Sequence, residues 1–315
     1  MKKNWGLLLV ALLAAFDCFA DEGTGTHTKC SEAYGPGYRS SALDLLDAET
    51  PADRRAAALE GYLRVSALPH CTADIHTLGQ AYRHGPELPG NLVPQDTARA
   101  RELLLQVAEA GRLSVYADLA EMALRQGDAR EAMQWTQVYL YFVKNVEKEF
   151  LDKEDARFTG AGYNGNLLLR AERAWRKARP RLDRKLIEAD LSDYVQQSGR
   201  DVTERIRTGF TERRERVSEE AGSQVRGRST GLCEPEGMRG IDAAAVVYIV
   251  EVLPSGEIGR VLPESFFPDP AAAEKLAHCV HTYEFEPFEG EQPRTVRIPV
   301  VFGYAPGLFT PSFRL

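Results

Sequence analysis

The spacing of the apolar residues changes once along this chain, and that change limits its fold more than any other feature. From residue 42 to about residue 220, apolar side chains recur every three or four positions, as on one face of a helix. From Cys233 onward they gather in short runs rich in Val, Ile and Tyr, broken by turn residues, as in strands. At 315 residues the chain has room for two or three domains of roughly 100–200 residues each. The expected class is therefore multidomain: an all-α N-terminal region followed by a small α+β domain.

The first twenty residues follow a different grammar. Lys2 and Lys3 precede an apolar run from Trp5 to Phe16, and Cys18-Phe-Ala20 presents small residues before Asp21. This is the pattern of a cleaved secretory signal over 1–20. The run is about 12 residues long, short of the roughly 20 that span a bilayer. A soluble periplasmic protein with no stable membrane insertion after cleavage is expected. Residues 21–41, rich in Gly, Ser and Thr, read as irregular.

Removing Cys18 leaves Cys30, Cys71, Cys233 and Cys279. An even number in an oxidising compartment points to disulfides, and three pairings can be drawn. Pairs that respect the domain boundaries, Cys30–Cys71 and Cys233–Cys279, are the expected ones. His70 and His278 adjoin two of these cysteines, but the Cys-x-x-Cys spacing of a structural zinc site is absent, so no metal is expected.

Residues 42–144 read as successive helices. The spacing predicts one after Pro51 through Ala58, Leu59, Tyr62, Leu63 and Val65, and another from Ala73 to His84. Asp96 caps a third that carries Ala100, Leu103, Leu104, Val107 and Ala108. A fourth stops at Gly127 and a fifth follows Asp128. Leu78-Gly79-x-x-Tyr82 aligns with Leu119-Ala120-x-x-Ala123, and Asp96 to Arg101 with Asp128 to Met133. Together with Ala108-Glu-Ala110-Gly111, this pattern resembles the Sel-one-like branch of tetratricopeptide-type repeats. That resemblance implies stacked helix pairs.

Residues 145–231 carry dense mixed charge over a thinner apolar stripe and read as a helical connector. Helices are expected at about 165–178, 181–197 and 201–220, the last striped by Val202, Ile206 and Phe210, with a linker from Gly222 to Gly231. Gly160-Ala-Gly162-Tyr-Asn-Gly165 reads as an interhelix loop, since no βαβ unit surrounds it.

The segment 232–304 begins with a strand from Ala244 to Val252, the turn Pro254-Ser-Gly256 and a second strand from Glu257 to Leu262. An Ala-rich helix capped by Asp269 follows. Then come Tyr283-x-Phe285-x-Pro287, Gly290 and a final strand ending Arg297-Ile298-Pro299-Val300-Val301-Phe302. In that order these elements resemble the C-terminal domain of the energy transducer TonB. The resemblance implies a three-stranded antiparallel sheet with one packed helix. It also implies that an extended segment of an outer-membrane transporter could pair with the sheet edge.

The candidate edge is the last strand, with Arg294, Val296, Arg297, Ile298, Val300 and Phe302; Pro299 removes one donor from it. The tail 305–315 carries Phe309, Phe313 and Leu315, which could cover that edge. No catalytic constellation emerges: Ser255 and Ser265 lack a nucleophile elbow, and Glu284 and Glu286 should face solvent. The formal charge of −7 disfavours nucleic acid.

The expected function is that of a non-enzymatic adaptor without a cofactor, binding protein partners of the cell envelope. The alternative is a TonB-type transducer held by an uncleaved N-terminal anchor.

Overall fold

The computed structural model describes residues 30, 34, 42–146, 161–178, 184–219, 225–229, 233, 237–238, 241 and 243–303, with side chains of the last of the long helices described to residue 209. The signal, the stretch 147–160, the side chain of Phe210 and the tail 305–315 lie outside what is described. So does most of the irregular segment 21–41.

The helical half opens with a short helix α1 (Ala42–Leu46), then α2 (Ala52–Val65) and α3 (Thr72–His84). It continues through α4 (Thr97–Glu109), α5 (Ser114–Gln126) and α6 (Ala129–Asn145). The expected start signals work as read. Asp96 Oδ1 accepts the backbone N–H of Arg99 at 3.0 Å, and Asp128 Oδ1 that of Glu131 at 2.9 Å. Gly127 closes α5 in the left-handed region, φ 76°, where a side chain would be strained.

Helix α3 packs on α4, α5 on α6, and α4 on α5. Gly79 lets α3 and α4 approach: a Cβ there would stand 3.0 Å from Leu104 Cδ2. Arg101 on α4 pairs with Glu131 on α6. Leu63 departs from its expected core face and is exposed, while Ala58, Tyr62 and Val65 are buried. Part of the Pro-rich segment 86–94 folds back on the helices. Gly90 N–H donates to the Leu46 carbonyl at 3.1 Å, and Arg55 Nη1 to the Gly90 carbonyl at 2.9 Å.

The charged region differs from a connector in two ways. Its first helix, α7 (Ala161–Ala178), absorbs the Gly-rich stretch expected as a loop and packs on α5 and α6. Its Tyr163, Leu167, Ala171 and Trp175 are buried. Next, α8 (Arg184–Tyr194) runs through a π-turn, Val195–Gly199, directly into α9 (Arg200–Glu219). Val202 and Ile206 are buried, as the stripe required. The C-terminal part of the expected linker forms strand β1 (Gly227–Ser229) instead.

The C-terminal half holds β2 (Ala243–Val252) and β3 (Ile258–Phe267), followed by α10 (Pro270–Leu276) with a 3-10 turn (Ala277–Thr282). Strands β4 (Tyr283–Phe285) and β5 (Arg294–Gly303) complete it. The main sheet is antiparallel, in the order β3-β2-β5. Tyr283 to Phe285 do not join it; β4 pairs with β1 in a separate two-stranded ribbon. Strand β3 runs five residues past the expected Leu262, because a bulge carries it beyond Pro263 to Phe267.

Both expected disulfides are present, Cys30–Cys71 and Cys233–Cys279. Each closes a loop of some forty residues, worth about 4 kcal/mol in the chain-entropy account.

The two halves share one continuous core. Leu78, Tyr116, Val246, Ile249 and Ile298 belong to a single buried cluster. Among the described residues no helix is long and apolar enough to cross a membrane.

Candidate partner-binding edge and the polar seam beneath the sheet

Strand β5 lies at one edge of the three-stranded sheet. Its register against β2 sorts the candidate residues by face. Ile298 opposes Tyr248, Val296 opposes Val250, Val300 opposes Val246 and Phe302 opposes Ala244. Tyr248 donates its hydroxyl hydrogen to the Ala273 carbonyl on α10, so these residues share the face under that helix. Val296, Ile298 and Phe302 are buried there and Val300 is half-buried. Arg294 also opposes β2, at Val252, and its guanidinium carbon lies 4.3 Å above the Phe288 ring.

Arg297 lies on the opposite face and reaches into the helical half. Its Nε donates to Glu264 Oε2 at 2.9 Å and its Nη2 to Glu264 Oε1 at 3.1 Å. Nη2 also donates to Thr77 Oγ1 on α3 at 3.0 Å, and Thr77 Oγ1 donates to Glu264 Oε1 at 2.5 Å. Glu264 is wholly buried. It sits at the bulge, between Ser265 opposite Val247 and Pro263 opposite Tyr248, which explains how a strand acid turns toward the helices.

Burial pushes the Glu264 carboxyl upward. The charge of Arg297, the neighbouring His76 and the hydrogen bonds from Arg297 and Thr77 outweigh that and hold it at about 2. The group is therefore an anion at neutral pH, paired inside the protein.

More polar contacts line the same seam. Arg170 on α7 grips Glu121 on α5 with two bonds, at 2.8 and 2.7 Å, and stacks its guanidinium 4.0 Å from the Phe267 ring centre on β3. Tyr163 donates to the same Glu121 at 2.8 Å. Arg260 on β3 bridges Asp47, beyond α1, at 2.9 Å and Glu251 on β2 at 2.8 Å. His84 stacks on Phe266, with ring centres 4.0 Å apart, and burial depresses its imidazole to about 4.

One layer deeper, Asp118 accepts Arg83 at 2.7 Å and Gln80 at 3.1 Å. Burial lowers the pKa of His76, so the ring beside Gln80 is neutral.

The candidate edge is thus brought together as one strand, but its side chains are largely committed inward. Among the described residues of the strand, Val301 is the exposed large apolar side chain. The seam itself escaped the sequence reading. One signal was available: Glu264 is the lone acid in the apolar run from Val261 to Phe267, and a charge inside a buried strand needs a partner. Comparison with known protein families, characterised proteins and solved structures finds no match to this chain.

Proposed function

We propose that the chain is an exported cell-envelope protein that works by surface recognition, with the outer edge of β5 accepting an extended segment of a partner protein. The observation that carries this reading is the combination at β5. It is a ten-residue strand at a sheet edge, while both faces of its sheet are already covered by α10 and by the helical half. An edge of this kind recognises a partner through main-chain hydrogen bonds. The resemblance to the TonB C-terminal domain supports the same mode, and two disulfides suit an oxidising compartment. The stacked helices supply a second surface for a further partner.

The test is a photocrosslinking residue placed at Val301 in the full chain within intact cells, with the somewhat more exposed Leu63 on α2 as control. A discrete adduct with one envelope protein at Val301 and none at Leu63 supports the reading. No adduct, or the same adducts at both positions, ends it. Sequencing the N-terminus of the purified protein decides how it is held. A start at Asp21 fits a free adaptor, and an intact Met1 in the membrane fits an anchored transducer.

A further inference from the structure

The second disulfide has an imidazole built against it. His278 Nε2 lies 3.2 Å from Cys233 Sγ and 3.9 Å from Cys279 Sγ. The other ring nitrogen, Nδ1, lies 2.8 Å from the Lys275 carbonyl oxygen. A carbonyl can only accept, so Nδ1 carries the hydrogen, and in the neutral ring Nε2 turns its lone pair to the sulfurs. A backbone carbonyl fixing a histidine tautomer in this way is how proteins orient imidazoles for chemistry.

The sulfurs also differ in access. Cys279 is buried, whereas Cys233 is half-buried and His278 is exposed. At the first disulfide both Cys30 and Cys71 are buried, although His70 stands nearby. The two bridges are of like loop length in one chain, and only one of them presents a sulfur and a base together to solvent.

We propose that Cys233–Cys279 is a thiol–disulfide exchange site whose co-substrate is a dithiol, with His278 carrying the proton. His278 Nε2 takes the proton from the first thiol of the incoming dithiol. The resulting thiolate attacks Cys233 Sγ. The Cys233–Cys279 bond breaks, its electron pair leaves on Cys279 Sγ, and the imidazolium returns the proton there.

The second thiol of the dithiol then attacks its own partner sulfur in the mixed disulfide. Cys233 leaves with that electron pair and receives the second proton through His278. The dithiol is oxidised by two electrons to a disulfide, and Cys233 and Cys279 become thiols. Cys30–Cys71 has no part in this exchange and remains structural.

The test uses the full chain, a small dithiol (dithiothreitol), alkylation quenching and peptide mapping. Cys233–Cys279 should open at least about tenfold faster than Cys30–Cys71, since exchange depends on access and on thiolate supply. His278→Gln should slow that opening by about tenfold, while His70→Gln leaves both bridges unchanged.

A second readout needs no variant. In the protein reduced only at Cys233–Cys279, the ultraviolet thiolate signal should titrate below the ordinary thiol value of about 8.5. Equal opening rates in wild type and His278→Gln overturn the proposal. So does prior opening of Cys30–Cys71, or an ordinary thiol titration in the wild type.

Discussion

The two faces of the β3-β2-β5 sheet are buried by different chemistry. Under α10 the strands present Val246, Tyr248, Val250, Val296 and Ile298, an apolar layer closed by one hydroxyl bond to Ala273. Under the helical half they also bury Ala245, Val247 and Ile249, but among these they present Glu264, Arg297 and Phe267 to Thr77, Tyr163 and Arg170. An apolar face tolerates many occupants of similar volume. A face of paired charges accepts one arrangement, because each misplaced group costs its full desolvation. The apolar side is thus a generic helix-on-sheet contact, and the polar side fixes where the sheet seats on the helices.

Breaking the polar face should cost most. Glu264→Ala strands the Arg297 guanidinium in the seam and should cost about 3–5 kcal/mol in denaturant unfolding. Replacing both members, Glu264→Leu with Arg297→Met, should recover much of that stability while loosening the seating of the sheet. If the single substitution costs no more than a surface change, the seam is not closed in solution.

The apolar face should break less expensively for its size. Ile298→Ala leaves a cavity under α10 and should cost about 2–4 kcal/mol, read from the same unfolding curves.

Acid should separate contributions from the two sides of the seam. His84 ordinarily titrates at 6.5 and is held at about 4 when folded, so the unfolded chain binds its proton first. Its contribution is present above 6.5 and is lost as pH falls toward about 4. Glu264 falls from 4.5 to about 2, so its contribution is intact above 4.5 and is lost only as pH drops toward 2. The full loss from His84 is roughly 3 kcal/mol at one pKa unit per 1.36 kcal/mol. His84→Phe should make the fall in stability between pH 6.5 and 4 shallower, with buried His76 supplying what remains, and leave the lower limb in place.

The smallest effect belongs to the helix starts. Asp128→Ala removes the cap on α6 and should cost about 1 kcal/mol, visible as a modest drop in midpoint.

The same contrast explains what the sequence made legible. The apolar face followed from the Val- and Ile-rich run of β2, from the shared face of Val296, Ile298, Val300 and Phe302 in β5, from Asp269 before Pro270 and from the Ala-rich helix, all local signals. The caps at Asp96 and Asp128 and both disulfides were also within reach of local reasoning. The polar face joins residues 187 and 220 positions apart, and no pattern within one segment reveals such a pairing. For that reason α7 read as a charged connector, although its Arg170 and Tyr163 serve the seam. Likewise β1 read as linker because its partner β4 lies more than fifty residues later. Of the candidate site, the edge position of β5 was legible in the order of elements. The inward commitment of Arg297 was not, because its acceptor sits on a bulge.

The central claim is that the helical half and the sheet form one cooperative unit through this seam. Native-state hydrogen exchange on the full chain tests it directly, comparing amides of Val246 to Val250 in β2 with those of Leu103 to Val107 in α4. Both sets should open with the same free energy, and Glu264→Ala should lower both by the same amount. Sheet amides that lose protection in Glu264→Ala while the helical amides keep theirs would contradict it.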